Sequence, residues 1–166
     1  MNKNMTFKTF DLTQGIITNQ DGMLQQKLPV VMGETAEHNN VNFFRLGPGL
    51  GNSANVYHYH AISEEVFYII SGQGYMRTPQ GNKIVAAGEI IVCPAYKESA
   101  HQLCNHSDTE DLIYMNVASA QKPDIMFIPD ENGGVVFAQD EILTFSRETK
   151  VDVSNIPAAN TGACKG

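Results

Sequence analysis

Apolar residues in this chain come in short runs, and glycine or proline interrupts them every eight to twelve residues or so. That rhythm is the spacing of short strands joined by turns, not of helices. It predicts strands over residues 41–46, 56–61, 66–71, 75–78, 83–86, 90–93, 101–105 and 112–117. Gly47-Pro48-Gly49 ends the first of these, Gly72-Gln73-Gly74 and Pro79-Gln80-Gly81-Asn82 make reversals, and Pro94 closes 90–93 because proline cannot continue a ladder. Helical periodicity is weak everywhere except Asp140-Glu141-Ile142-Leu143, which predicts one helical turn. The first 40 residues hold one apolar run, Leu28-Pro29-Val30-Val31-Met32, amid polar sequence. They read as an arm that docks on the strand-rich unit or on a neighbouring subunit. From Val151 the sequence turns small and polar and reads as a frayed tail.

A chain of 166 residues with 42% hydrophobic and 17% charged residues has material for one folded domain with extensions. Its formal charge of −7 has the wrong sign for neutralising phosphates, which excludes nucleic acid as the expected partner. No apolar stretch approaches the roughly 20 residues that a membrane-spanning helix needs. The first residues, Met1 to Lys8, lack the apolar segment of a secretory signal, so the expected location is cytoplasmic. Cys93, Cys104 and Cys164 form no CxxC pair and read as reduced thiols, two in the core and one in the tail.

Chemistry concentrates in the middle of the chain. On a strand, residues two apart share a face, so His58 and His60 project together while Tyr57 and Tyr59 point away. After a short turn, Glu65 offers a carboxylate at the first inward position of the next strand, and His101 adds a third imidazole on a strand face shared with Leu103 and Asn105. Three imidazoles and one carboxylate suit a divalent transition metal (Mn, Fe, Ni or Zn) with coordination positions left open for water or substrate. Gly72-Gln73-Gly74 lacks the third glycine of a dinucleotide fingerprint, and Ser53 lacks the context of a nucleophile elbow.

The order Gly51, six residues, His58, one, His60, four, Glu65, six, Gly72 is continuous, and here the sequence resembles the cupin superfamily. The first cupin motif is a glycine, an HxH pair, a glutamate and a second glycine; only the leading spacer is one residue longer here than usual. Gly88, Pro94, His101 and Asn105 match the second motif. Tyr96 stands where that motif has a glycine, and His101 comes two residues later than usual. The spacing to Gly72 selects Glu65 over Glu64 and leaves Glu64 facing solvent. His106 falls on the face opposite Asn105, and His38 lies in polar sequence.

The resemblance covers roughly residues 41–118 and implies an all-β fold, a double-stranded β-helix or jelly-roll barrel. The expected organisation is an N-terminal arm (1–40), a barrel core (41–118) and a C-terminal extension with its tail (119–166). The expected function is a metal-dependent, dioxygenase-like enzyme (an oxidoreductase) acting on a small oxygenated substrate. A non-catalytic ligand-binding or sensor protein and a sugar isomerase or epimerase are the alternatives, and no catalytic base is assigned. A homodimer is expected from the outward-facing Tyr57 and Tyr59 and from the arm, and cupins commonly pair in this way.

Overall fold

The computed structural model describes residues 11–20, 23–31 and 38–148, with Thr9. Its strands, in chain order, are β1 (Ile16–Gln20), β2 (Met23–Val31), β3 (Asn39–Leu46), β4 (Tyr59–His60), β5 (Glu65–Ser71), β6 (Gln73–Thr78) and β7 (Gly81–Ala86). They continue with β8 (Ile90–Cys93), β9 (Gln102–Asn105), β10 (Leu112–Ser119), β11 (Asp124–Ile128), β12 (Gly133–Phe137) and β13 (Ile142–Ser146). Six strands form a sheet in the order β1-β2-β3-β10-β5-β8, four another in the order β13-β12-β11-β4, and three a third in the order β7-β6-β9. A backbone bridge between His58 and His101 joins the β4 side to the β9 side, with N–H···O distances of 3.1 and 2.8 Å. Among the described residues no helix is long and apolar enough to cross a membrane.

The alternation of the strands sorts the core. On β5, Phe67 and Ile69 are buried while Val66, Tyr68 and Ile70 turn outward. Phe44 and Leu46 of β3 with Leu112 and Tyr114 of β10 complete the inner face of the large sheet, and Met76, Val85 and Leu103 meet it from the three-stranded sheet. Each such buried side chain stabilises the fold by about 1.5–3 kcal/mol. Cys93 and Cys104 are buried free thiols of this interior, as expected, and burial pushes the Cys93 thiol up to about 12. Toward the other end of the same strands the inner face becomes polar. Register sets Asn42 opposite Asn116, and Asn116 opposite Phe67; one step on, Ala118 lies opposite both Asn40 and Glu65. The polar end of this face is where the histidines gather.

Two features differ from the sequence reading, and the described part of the N-terminal arm takes the first of its two expected docking places. Asp140 to Leu143 is not a helical turn: Ala138 N–H bonds to the Glu141 carbonyl at 3.0 Å, and Ile142–Ser146 pairs with β12 as strand β13. The β-branched Ile142 and Thr144 fit a ladder, and periodicity over so few residues does not stabilise a helix. Before residue 40 the chain forms the hairpin β1–β2, which docks on this chain's own β3. Tyr57 and Tyr59 do face away from the histidines, but the chain covers both. The Arg77 guanidinium lies 4.0 Å from the Tyr57 ring centroid, and Tyr59 stacks on Phe127 at 4.8 Å. The tail from Val151, Cys164, Met32 and residues 1–8 lie outside the described residues.

Gly72 and Gly88, both in the motifs, have φ of +84° and +92°, a region that favours glycine. A Cβ at Gly72 would lie 2.2 Å from the Asp111 carbonyl oxygen, whereas one at Gly88 would meet nothing within 4 Å. Gly88→Ala is expected to cost about 1 kcal/mol, the backbone penalty alone. Gly72→Ala is expected to cost clearly more, because backbone must also shift. Denaturant midpoints of the two variants check the difference.

Candidate metal centre

Each of the three candidate histidines is held by its Nδ1 atom. His58 Nδ1 lies 2.8 Å from the Val56 carbonyl, His101 Nδ1 lies 2.9 Å from the Ser99 carbonyl, and His60 Nδ1 lies 2.6 Å from Asp124 Oδ2. All three partners are acceptors, so Nδ1 carries the proton and donates, and each Nε2 is left to face the interior with its lone pair. The three Nε2 atoms converge on one atom, Glu65 Oε2, at 3.2 Å for His58, 2.9 Å for His101 and 3.9 Å for His60. The ligand atoms of His58, His60 and Glu65 lie within 4.8 Å of one another. The structure thus gathers the four residues singled out from the sequence around a single carboxylate oxygen.

Local structure explains how. His58 and His101 are bound to each other by the backbone bridge, which fixes two imidazoles side by side, with ring centroids 4.7 Å apart. His60 is held from outside by the Tyr96 N–H, which donates to its carbonyl at 2.7 Å. Tyr96, at the place of the motif's glycine, has φ of +80°. The longer turn before His101 therefore keeps the glycine-like backbone without the glycine, and its Ser99 carbonyl supplies the acceptor for His101. Glu65 is nearly fully buried, and its other oxygen accepts from Asn116 Nδ2 at 3.0 Å. Glu64 and His106 are exposed, as is His38.

Electrostatics follow from this packing. Burial by itself drives the Glu65 pKa up, but hydrogen bonds from His101 and His58 outweigh it and hold the carboxyl far below its ordinary range. Burial pulls His58 down, and the Glu65 carboxylate more than reverses that, so His58 holds its proton more tightly than a free imidazole. A neutral Nε2 and a carboxylate oxygen at these distances are two lone pairs facing each other. Either protons sit between them or a cation does. Around an ion with ligand distances of about 2.1 Å, neighbouring donor atoms are about 3 Å apart and opposite ones about 4 Å. The separations of the three Nε2 atoms from Glu65 Oε2, 2.9 to 3.9 Å, fall in that range, and the donor atoms of His58, His60 and Glu65 lie within 4.8 Å of one another. These three residues therefore form a group that could hold a metal ion, and His101 Nε2 lies 2.9 Å from the same Glu65 oxygen.

Two supporting residues escaped the sequence reading. Asp124 is buried; Oδ2 is bonded to His60, and Oδ1 accepts the Ile62 N–H at 3.0 Å. Burial works to raise its pKa, and hydrogen bonds from Ser63 and His60 bring it below the usual value. It lies 64 residues from His60, so no short spacing announces it. Asn116, on β10, looked like an ordinary strand position. Beside the cluster opens a cavity of about 270 Å³, lined by His58, His60 and Glu65 together with asparagine, serine and two lysine side chains.

No family model matches the sequence, and no curated protein does. Among solved structures, the chain is similar to a sugar phosphate isomerase from a cupin superfamily from Silicibacter pomeroyi, with TM-score 0.69 and 19% identity over 90% of this chain and 100% of that one. It is similar to the polyketide cyclase RemF from Streptomyces resistomycificus, with TM-score 0.53 and 18% identity over 71% and 82%. A protein predicted to be an oxalate decarboxylase, from Thermotoga maritima, gives TM-score 0.54 and 18% identity over 68% and 98%. With antiparallel sheets, both motif regions in place and these neighbours, the fold is the cupin fold.

Asp124→Asn is expected to weaken retention of a bound metal about 10- to 100-fold although Asp124 donates no atom to the cluster, because His60 loses the anion that orients it. Glu64→Gln and His106→Ala are expected to leave retention unchanged. Competition with a chromophoric chelator measures all three.

Proposed function

We propose that the chain is a metal-dependent enzyme of dioxygenase-like chemistry that acts on a small oxygenated molecule bound in the cavity beside His58, His60, Glu65 and His101. The observation that carries the reading is the convergence of three Nε2 atoms on Glu65 Oε2, with every Nδ1 already engaged. A divalent transition metal held there supplies Lewis acidity and, if redox-active, a place for dioxygen beside the substrate. The chain's own part is to orient the imidazoles through Val56, Ser99 and Asp124, and to keep Glu65 ionised. The carboxylates that line the cavity are Glu65 and Asp124, and both are occupied by histidines. Chemistry that draws no proton with a free carboxylate base suits such a cavity, and this favours the oxygenase reading.

A sugar isomerase or epimerase is the second reading, supported by Asn40, Asn42, Asn55 and Asn116 in the cavity wall, side chains that match hydroxyl groups. We also propose a homodimer. Edge strand β8 supports it, since Ile90 and Val92 are 67% and 62% exposed there. Light scattering at twice the chain mass is the expected result, and a monomer at micromolar concentration contradicts it.

Elemental analysis of freshly purified protein is expected to give about one transition-metal ion per chain, lost in His58→Ala and His60→Ala. Oxygen uptake against a panel of diols, thiols and keto acids is expected for at least one member and absent in the metal-depleted protein. Deuterium incorporation from heavy water into an aldose or ketose without oxygen uptake replaces the first reading with the second. Failure to take up any metal on reloading contradicts both.

A further inference from the structure

The cavity has a second chemistry besides the metal cluster. Lys27, on β2, lies in register with Phe44, and its ammonium sits 5.5 Å from the Phe44 ring centroid. It lines the cavity, and beyond that ring contact no carboxylate or carbonyl among the described residues pairs with it. The residue is solvent-accessible, but partial desolvation of its head group pushes its pKa below the usual lysine value. The arginines of the described chain are engaged elsewhere: Arg45 with Asp111, Arg77 with Asp130, and Arg147 with Tyr59 and Phe127. Lys122, the other cation in the cavity wall, donates to the Gln139 carbonyl at 3.3 Å.

Two register rows from Lys27, two residues from Phe44 along β3, stands Asn42. It is 7% exposed, and its side-chain carbonyl is, among the described residues, a buried polar atom without a hydrogen-bond partner. Buried acceptors are almost always paired, so an orphan in a cavity wall is open to a donor from whatever fills the cavity, a ligand hydroxyl included. Asn42 lies directly across from Asn116, which holds Glu65. The unpaired cation, the unpaired acceptor and the metal cluster therefore face one volume.

We infer that this cavity takes a small hydroxylated organic anion, a hydroxy carboxylate or a phosphate ester, with Lys27 on the anionic group and the Asn42 side-chain carbonyl accepting from a hydroxyl. The inference rests on the functional reading above and narrows its substrate class. A cation with no acid partner at the wall of a cavity is open to an incoming anion, and a charge-assisted hydrogen bond to it is stronger than a neutral one. The hydroxyl then has Asn42 on one side and the metal ligands on the other.

Calorimetric titration of the manganese-loaded full chain tests this with glycerate and glycerol 1-phosphate as anions and glycerol as the neutral control. At least one anion is expected to bind about tenfold or more tightly than glycerol. The tighter of the two anions identifies the charged group. Lys27→Met, which keeps the stem over Phe44, is expected to lower that affinity about tenfold, while Lys83→Met, an equal loss of charge on the exposed face of β7, leaves it unchanged. Asn42→Leu is expected to weaken the hydroxylated anions and leave binding of inorganic phosphate unaffected. Equal affinity for glycerol and both anions, or wild-type anion affinity in Lys27→Met, overturns the inference. Metal content recorded on the same samples separates the two claims. A chain without metal that still binds an anion through Lys27 upholds this inference while the metal reading fails; full metal content with no dependence on Lys27 does the reverse.

Discussion

A carboxylate taken out of water among three imidazoles is the constraint on which the rest of this structure depends. Glu65 is 5% exposed, and isolated burial of its charge would cost several kcal/mol. What offsets that cost is the set of contacts at its two oxygens, His58, His60 and His101 around Oε2 and Asn116 on Oε1. The arrangement is stable only when positive charge lies between the nitrogens and the carboxylate, whether as protons or as a metal ion. Backbone carbonyls at Val56 and Ser99 and the Asp124 carboxylate take the Nδ1 protons. That leaves the Nε2 positions as the only place where the choice between proton and metal is made.

The fold supports the cluster through register. One inner sheet face runs from Leu46, Ile69 and Leu112 through Phe44, Phe67 and Tyr114 to Asn42, Asn116 and Glu65. The apolar end supplies the core and the polar end supplies the site, so a slip of one residue in β5 would turn Glu65 outward and expose Phe67 together. The backbone bridge of His58 with His101 ties the other two sheets at the same point. Stability and ligand geometry are thus carried by the same few strands.

Much of this was legible in the sequence, for a physical reason. Strand alternation has a period of two, so His58 and His60 share a face by arithmetic, and Phe67 and Ile69 are inward because Glu65 is. The strands from β3 to β10 were marked by glycine and proline. β4 was the weakest match, shrinking to Tyr59–His60 because its first half pairs only through the single bridge at His58. The hairpin β1–β2 and the strands β11 to β13 were not legible although they pair with sequence neighbours, because polar stretches such as Thr18-Asn19-Gln20 and Gln25-Gln26-Lys27 and the pair Gly133-Gly134 break the apolar runs there. Asp124 and Lys27 escaped for the same cause: each reaches the site from an element whose place no local pattern announces. Tyr96 is the instructive case. A missing motif glycine read as a departure, yet the backbone keeps φ at +80° there, so the turn's geometry is retained with a larger side chain, 66% exposed.

The central claim is that three histidines are fixed as Nδ1–H tautomers with Nε2 turned to a cation beside Glu65. Long-range nitrogen–proton correlation spectra of the zinc-loaded protein, labelled with nitrogen-15 in its histidine rings, test it most directly. The account predicts that His58, His60 and His101 each show a protonated Nδ1 and an Nε2 resonance that moves on zinc binding, while His38 and His106 do not respond. An Nε2–H tautomer at any of the three, or ring resonances that ignore zinc, would contradict it.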